Sequence, residues 1–133
     1  MDMPTHSEDT IRELVPVYSP RWGHPDHYSV NMTRSRLTIT LNTKTAECVL
    51  TSEGNAIWSG HRAGITNPVL QIMSDDAIYA PAVLPEALEW LLGQWGQGVA
   101  DRASVTTALK DLFSWVDHTA RGKPTSEFWR QYF

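Results

Sequence analysis

One cysteine in 133 residues, Cys48, leaves no partner for an intrachain disulfide, so this is not a disulfide-stapled secreted miniprotein. A reducing cytoplasm is the simplest home. The opening segment MDMPTHSEDT has no cationic stretch leading into an apolar run, and the longest apolar stretches fall far short of the ~20 residues that span a bilayer. Neither ordinary export nor membrane insertion is expected. Positive charge is also scarce: 11 basic against 15 acidic residues give a net charge of −4. Such a balance makes nucleic acid a poor partner unless the cations are segregated on one face.

The glycines form neither G-x-G-x-x-G nor G-x-x-x-x-G-K-[ST], so no phosphate cradle is present, and no G-x-S-x-G nucleophile elbow occurs. Asp75 and Asp76 lack the nearby lysine of common nuclease sites and suit a turn. No cofactor is expected. The sequon at Asn31 carries no weight without a secretory route.

What is there supports one folded domain over residues 1–133, with 1–6 flexible. Apolar residues make up 41% of the chain and charged residues 20%, enough to fill a core at a length typical of single domains. Ser7, Glu8 and Asp9 suit the start of a short helix through Ile11, Leu14 and Val15, ended by Pro16. From Pro16 to Asp26, three prolines and Gly23 predict an extended loop.

The period then becomes two. Tyr28, Val30 and Met32 share one parity and Leu37, Ile39 and Leu41 the other, which predicts strands on either side of a turn or bulge around Thr33 to Arg36. Turns at 42–45 and 52–55 separate the further strands AECVLT and AIWSG. PVLQIM (68–73) and AIYA (77–80) read as one or two additional strands, bracketed by Pro68 and Pro81.

The last third is helical. Leu84, Leu88, Leu91, Leu92, Trp95 and Val99 fall at helical spacing behind Pro85, and Val105, Leu109, Leu112, Phe113, Val116 and Ala120 repeat it. Asp101 or Ser104 suits the cap of the second helix, and Gly122 with Pro124 its close. A short terminal helix from Thr125 or Ser126 carries aromatics. Strands first and helices later predict an α+β fold: an antiparallel β-meander of about four to five strands, with two amphipathic C-terminal helices and a short terminal helix packed on one face.

Two sets of residues stand out as candidate sites. The stretch SPRWGHPDHYS (19–29) offers His24, Asp26 and His27. A metal there would need a third protein ligand, such as His61, His6 or Asp75. Pro25 forbids the helix on which zinc proteases place paired histidines, and a proline turn accounts for the same residues. Metal is therefore not expected. Cys48 alternates with polar neighbours in AECVL and is expected to point into the core.

The second set is aromatic. Of six tryptophans, Trp58 and Trp95 fall on apolar faces, whereas Trp90 lies well off the stripe of its helix, between Glu86 and Gln94, and Trp115 sits at the margin of its own. Exposed tryptophan commonly marks a partner surface, because it offers much contact area for few frozen rotors. Trp90, Trp115, Phe128, Trp129, Tyr132 and Phe133 are the expected anchors, with Arg34 and Arg36 as a cationic second surface on the sheet.

The leading expectation is a small cytoplasmic, non-enzymatic binding protein that engages a protein partner or a second copy of itself. An inhibitor or immunity-type partner is one concrete form. The alternative is a small-ligand binder or hydrolase with a pocket around 24–27 and 61, in which His24, Asp26, His27 and His61 supply the polar groups.

Overall fold

A computed structural model describes residues 10–17, 27–58, 67–76, 83–118 and 123–133. Five strands come first: β1 (Ile11–Pro16), β2 (His27–Met32), β3 (Arg36–Leu41), β4 (Lys44–Leu50) and β5 (Ala56–Trp58). Four helices follow: α1 (Pro68–Asp76), α2 (Val83–Gly96), α3 (Arg102–His118) and α4 (Thr125–Trp129). The strands form one antiparallel sheet in the order β1-β2-β3-β4-β5; α1, α2 and α3 pack against it, and the short terminal helix α4, expected on the same face, docks on α3 instead. The architecture is the expected α+β meander with helices.

Register explains the parity change. Met32 pairs with Leu37, Leu37 with Cys48, and Cys48 with Trp58, so residues of opposite parity on β2 and β3 share a row on the same face. The connection is a tight turn without a bulge, closed by Thr33 N–H donating to the Arg36 carbonyl at 2.8 Å. A second row runs Val30, Ile39, Ala46. All of these side chains are buried, each apolar one worth about 1.5–3 kcal/mol on leaving water when the side chain is large. Tyr28 meets Phe113 of α3 with ring centroids 5.1 Å apart. At the β3–β4 turn Asn42 takes a positive φ of 56°, a conformation that asparagine tolerates better than most residues.

Two expectations are corrected. Residues 11–16 are a strand, not a helix. Ile11 and Val15, both buried, lie four apart, a spacing that suits either period, whereas Leu14, placed on the helical stripe, is exposed on the open face of the sheet. Pairing along β2, from Ile11 opposite Met32 to Pro16 opposite His27, decides the matter. Residues 68–76 are a helix, not a strand. The Asn67 side chain accepts the Val69 and Leu70 N–H groups at 2.8 and 3.4 Å, and Pro68 stands where a missing N–H costs nothing. The AIYA segment lies outside the described residues, as does the flexible stretch expected at 1–6.

The long helices lie where the apolar spacing puts them. Leu84, Leu88, Leu91, Leu92 and Trp95 are buried along α2, and Val105, Leu109, Leu112, Phe113 and Val116 along α3. Val99 is exposed, because α2 has already ended. Gly98, at φ 73°, donates to the Trp95 carbonyl in the closing turn. Asp101 caps α3, accepting the Ser104 N–H at 2.7 Å; hydrogen bonds from Ser104 hold its carboxyl below the usual range. No described helix is long and apolar enough to cross a membrane.

Candidate functional site

α2 is amphipathic in an unusual way. Its inward face is filled by leucines, but Trp90 leaves the helix on the other side and finds α4. The five residues of α4 are too short to be helical alone. Phe128 seats them, packing against Trp115 of α3 at 5.1 Å, Trp129 at 5.0 Å and Tyr132 at 5.0 Å. On this platform the Trp90 and Trp129 rings stack at 4.5 Å and 24°, and Phe133 meets Trp90 edge-on at 5.5 Å.

A groove of about 750 Å³ opens beside the stack. Glu86, Ala87 and Trp90 form one wall, and Lys123 to Ser126, Trp129, Arg130 and Phe133 form the other. A smaller concavity of about 380 Å³ lies across Trp90 and Glu86, reaching Glu89 and Gln94 of α2, Gln97 just after it and the β4–β5 turn at Gly54 and Asn55. Trp90 is thus a ridge between two depressions. It is 37% exposed and Phe133 44%.

The Tyr132 hydroxyl donates to the Asp111 Oδ2 at 2.6 Å, tying the residues after α4 to α3. Partial burial, followed by this hydrogen bond and the carboxylate's charge, pushes the phenol up to about 12 from its ordinary 10. The fold therefore favours the neutral phenol. The stabilisation is complete below about pH 10 and drains away as pH rises towards 12. In Tyr132→Phe the alkaline loss of thermal stability over that window should shrink, and the phenolate absorbance of the wild type should rise late; equal slopes in the two proteins would contradict the clasp.

The sequence-predicted anchors divide. Trp115, Phe128 and Trp129 are 9%, 2% and 7% exposed, so they belong largely to the core, with Trp129 still lining the groove. The reason is reciprocal cover, since α4 lies over the margin of α3 where Trp115 emerges. Trp90, Phe133 and the half-buried Tyr132 keep accessible surface.

The two arginines of the expected cationic surface are both exposed. Arg34 belongs to the β2–β3 turn, its guanidinium 3.5 Å above the Trp95 ring and donating to the Trp95 carbonyl at 2.6 Å. This contact clasps the C-terminal end of α2, where a cation is favoured, while Arg34 as a whole stays exposed. Arg36 is exposed and lies 3.6 Å from Glu47. A pair so open to solvent contributes little.

Cys48 is fully buried, and burial, with a smaller effect from Glu89, pushes its thiol up to about 12. It carries almost no thiolate at neutral pH. His27 is exposed at the start of β2, opposite Pro16. His24, Asp26 and His61 lie outside the described residues, and the pocket expected around them does too. Among the described residues, no group of three or more His, Cys, Asp or Glu side chains could hold a metal ion.

Sequence reasoning overlooked Lys123, Arg130 and Glu86 as groove residues. Glu86 had a visible signal, one helical turn before Trp90 and therefore on its face. Lys123 and Arg130 had none, because their place depends on how α4 docks.

Fold and groove together define a small α+β domain with one aromatic-walled flank. The family model described as "Integron cassette protein" matches residues 11–120, and the chain belongs to that family. A solved structure of an integron cassette protein from the mobile metagenome of V. cholerae is similar over 98% of this chain and 100% of its own, with a TM-score of 0.66 and 25% sequence identity. No curated protein matches the chain. The family match ends before Lys123, so the α4 wall of the groove lies beyond it.

Proposed function

We propose that this integron cassette protein is a non-enzymatic binding protein that engages another protein surface through the groove between α2 and α4. One observation carries the reading: Trp90 and Phe133, the two exposed large aromatic rings among the described residues, sit side by side on a buried aromatic platform that holds them in place before any partner arrives. Preassembled aromatic contacts lose little rotamer freedom on binding, which is why tryptophan concentrates binding energy at interfaces. The polar rim of Glu86, Lys123 and Arg130 supplies orientation. A single buried cysteine suits a reducing cytoplasm as the place of action.

A photoreactive benzoylphenylalanine at Ser126, inside the groove, should crosslink to protein in the native host, whereas the same group at Thr43, on the β3–β4 turn, should not. Adding Trp90→Glu should weaken capture by roughly 30-fold, the scale of an interface hot spot, with the circular dichroism unchanged. Equal capture from both positions, or capture indifferent to Trp90→Glu, would overturn the reading.

A further inference from the structure

We infer that the partner of the groove is a second copy of this chain, docked about a two-fold axis that passes beside Trp90. The inference rests on the reading of the groove as a protein-binding surface and adds the identity of what binds. Three features of the groove point to self-recognition.

The first is charge. Glu86 stands on the α2 wall, and Lys123 and Arg130 stand on the α4 wall. None of the three forms an ion pair with another described residue. A partner of one sign would be attracted by one wall and repelled by the other. A two-fold rotation, in contrast, brings the acidic wall of each copy against the basic wall of the other, so both contacts are favourable and each occurs twice.

The second is shape. The patch carries both a ridge, Trp90, and a depression of about 750 Å³ next to it, a volume in the range that accepts a drug-sized group and hence an indole. An isologous contact needs a knob and a hole on the same surface. The third is apolar exposure: Trp90 and Phe133 are two of the five large hydrophobic residues exposed among the described residues, and they are in mutual contact, whereas Leu14 and Ile57 lie on opposite edge strands of the sheet. Adjacent exposed rings with a charged rim are the composition of an interface centre.

Charge reversal separates this arrangement from every other dimer. In Glu86→Lys both inter-chain contacts become cation against cation, and in the double variant Lys123→Glu with Arg130→Glu both become anion against anion. Each variant alone should associate roughly tenfold or more weakly than the wild type. Mixed in equal amounts, the two should form a heterodimer, because each reversed wall then meets its complement. Sedimentation of the full chain from about 1 μM to about 1 mM covers the relevant affinities, reading the shift from 15.0 kDa to twice that mass, with unfolding midpoints confirming that each variant is folded. A wild type that stays monomeric throughout, reversals without effect, or a mixture that fails to pair overturns the proposal. Crosslinking from Ser126 to a protein of another mass would overturn self-association while leaving the groove a protein-binding surface; no crosslink at all would remove both.

Discussion

Gly96→Val should destabilise the fold by about 3 kcal/mol, roughly 10 °C in unfolding midpoint for a chain of this size. A Cβ built on Gly96 would fall 2.4 Å from the Arg34 carbonyl oxygen and 2.4 Å from a Leu50 methyl. The leucine can rotate, but the carbonyl cannot retreat. It belongs to the β2–β3 turn, which is fixed by the Thr33 to Arg36 hydrogen bond and by the Arg34 guanidinium on Trp95. Any side chain at 96 therefore pushes α2 off the sheet and breaks the Arg34 clasp in the same movement. Gly93, one turn earlier, has nothing within 4 Å of such a Cβ, so Gly93→Ala should stabilise α2 by up to about 1 kcal/mol through helix propensity alone. Thermal unfolding of the pair checks the argument; a Gly96 variant as stable as the Gly93 variant would show that the close approach is not what selects glycine.

That pair of glycines also marks how far a single sequence can be read. GQWGQG announces the end of a helix, and the leucine spacing before it places the buried face of α2, because both signals are local. Nothing local says that a turn some sixty residues earlier rests its carbonyl on position 96, or that Arg34 reaches across to Trp95. The strands β2 to β4 were legible for the same reason as α2: alternation with a period of two is set by one buried face, and the register then follows from short turns.

β1 and α1 were not read correctly, for opposite reasons. Ile11 and Val15 satisfy both periods, so only the pairing partner β2 could choose between them. For α1 the information was present but outweighed: Asn67-Pro68 is a strong cap-and-first-turn signal, yet the short apolar run that follows resembles a buried strand as closely as a helix.

The groove shows the same division. Trp90 was legible from its position on the α2 wheel, since the wheel reports which side of one helix a residue leaves by. The burial of Trp115, Phe128 and Trp129 was not legible, because exposure is a property of pairs of elements, and five residues of α4 give no periodicity from which to infer that they cover α3.

Because those three rings are buried together, Phe128→Ala should cost about 3–5 kcal/mol, the range for deleting a buried phenyl ring, and it should do so unevenly. Phe128 touches Trp115, Trp129 and Tyr132, and it is 2% exposed. Other ties of α4 and the residues after it to the body are the Trp90–Trp129 stack, the Trp90–Phe133 edge contact and the Tyr132–Asp111 hydrogen bond, none of which replaces a seated ring. Hydrogen exchange should therefore show the amides of Phe128 to Phe133 losing most of their protection while those of Ile39 and Val30 retain the protection of the whole fold, lowered only by the change in global stability. Tryptophan emission should move to longer wavelength at the same time, as Trp90 and Trp129 separate. Uniform loss of protection would mean that α4 unfolds only with the sheet, and unchanged protection would mean that the aromatic platform does not hold it. The expected pattern has a consequence for binding: the ring that seats α4 is buried away from any partner, yet removing it should weaken capture from the groove at least as much as Trp90→Glu, because one wall of the groove exists only while Phe128 is in place.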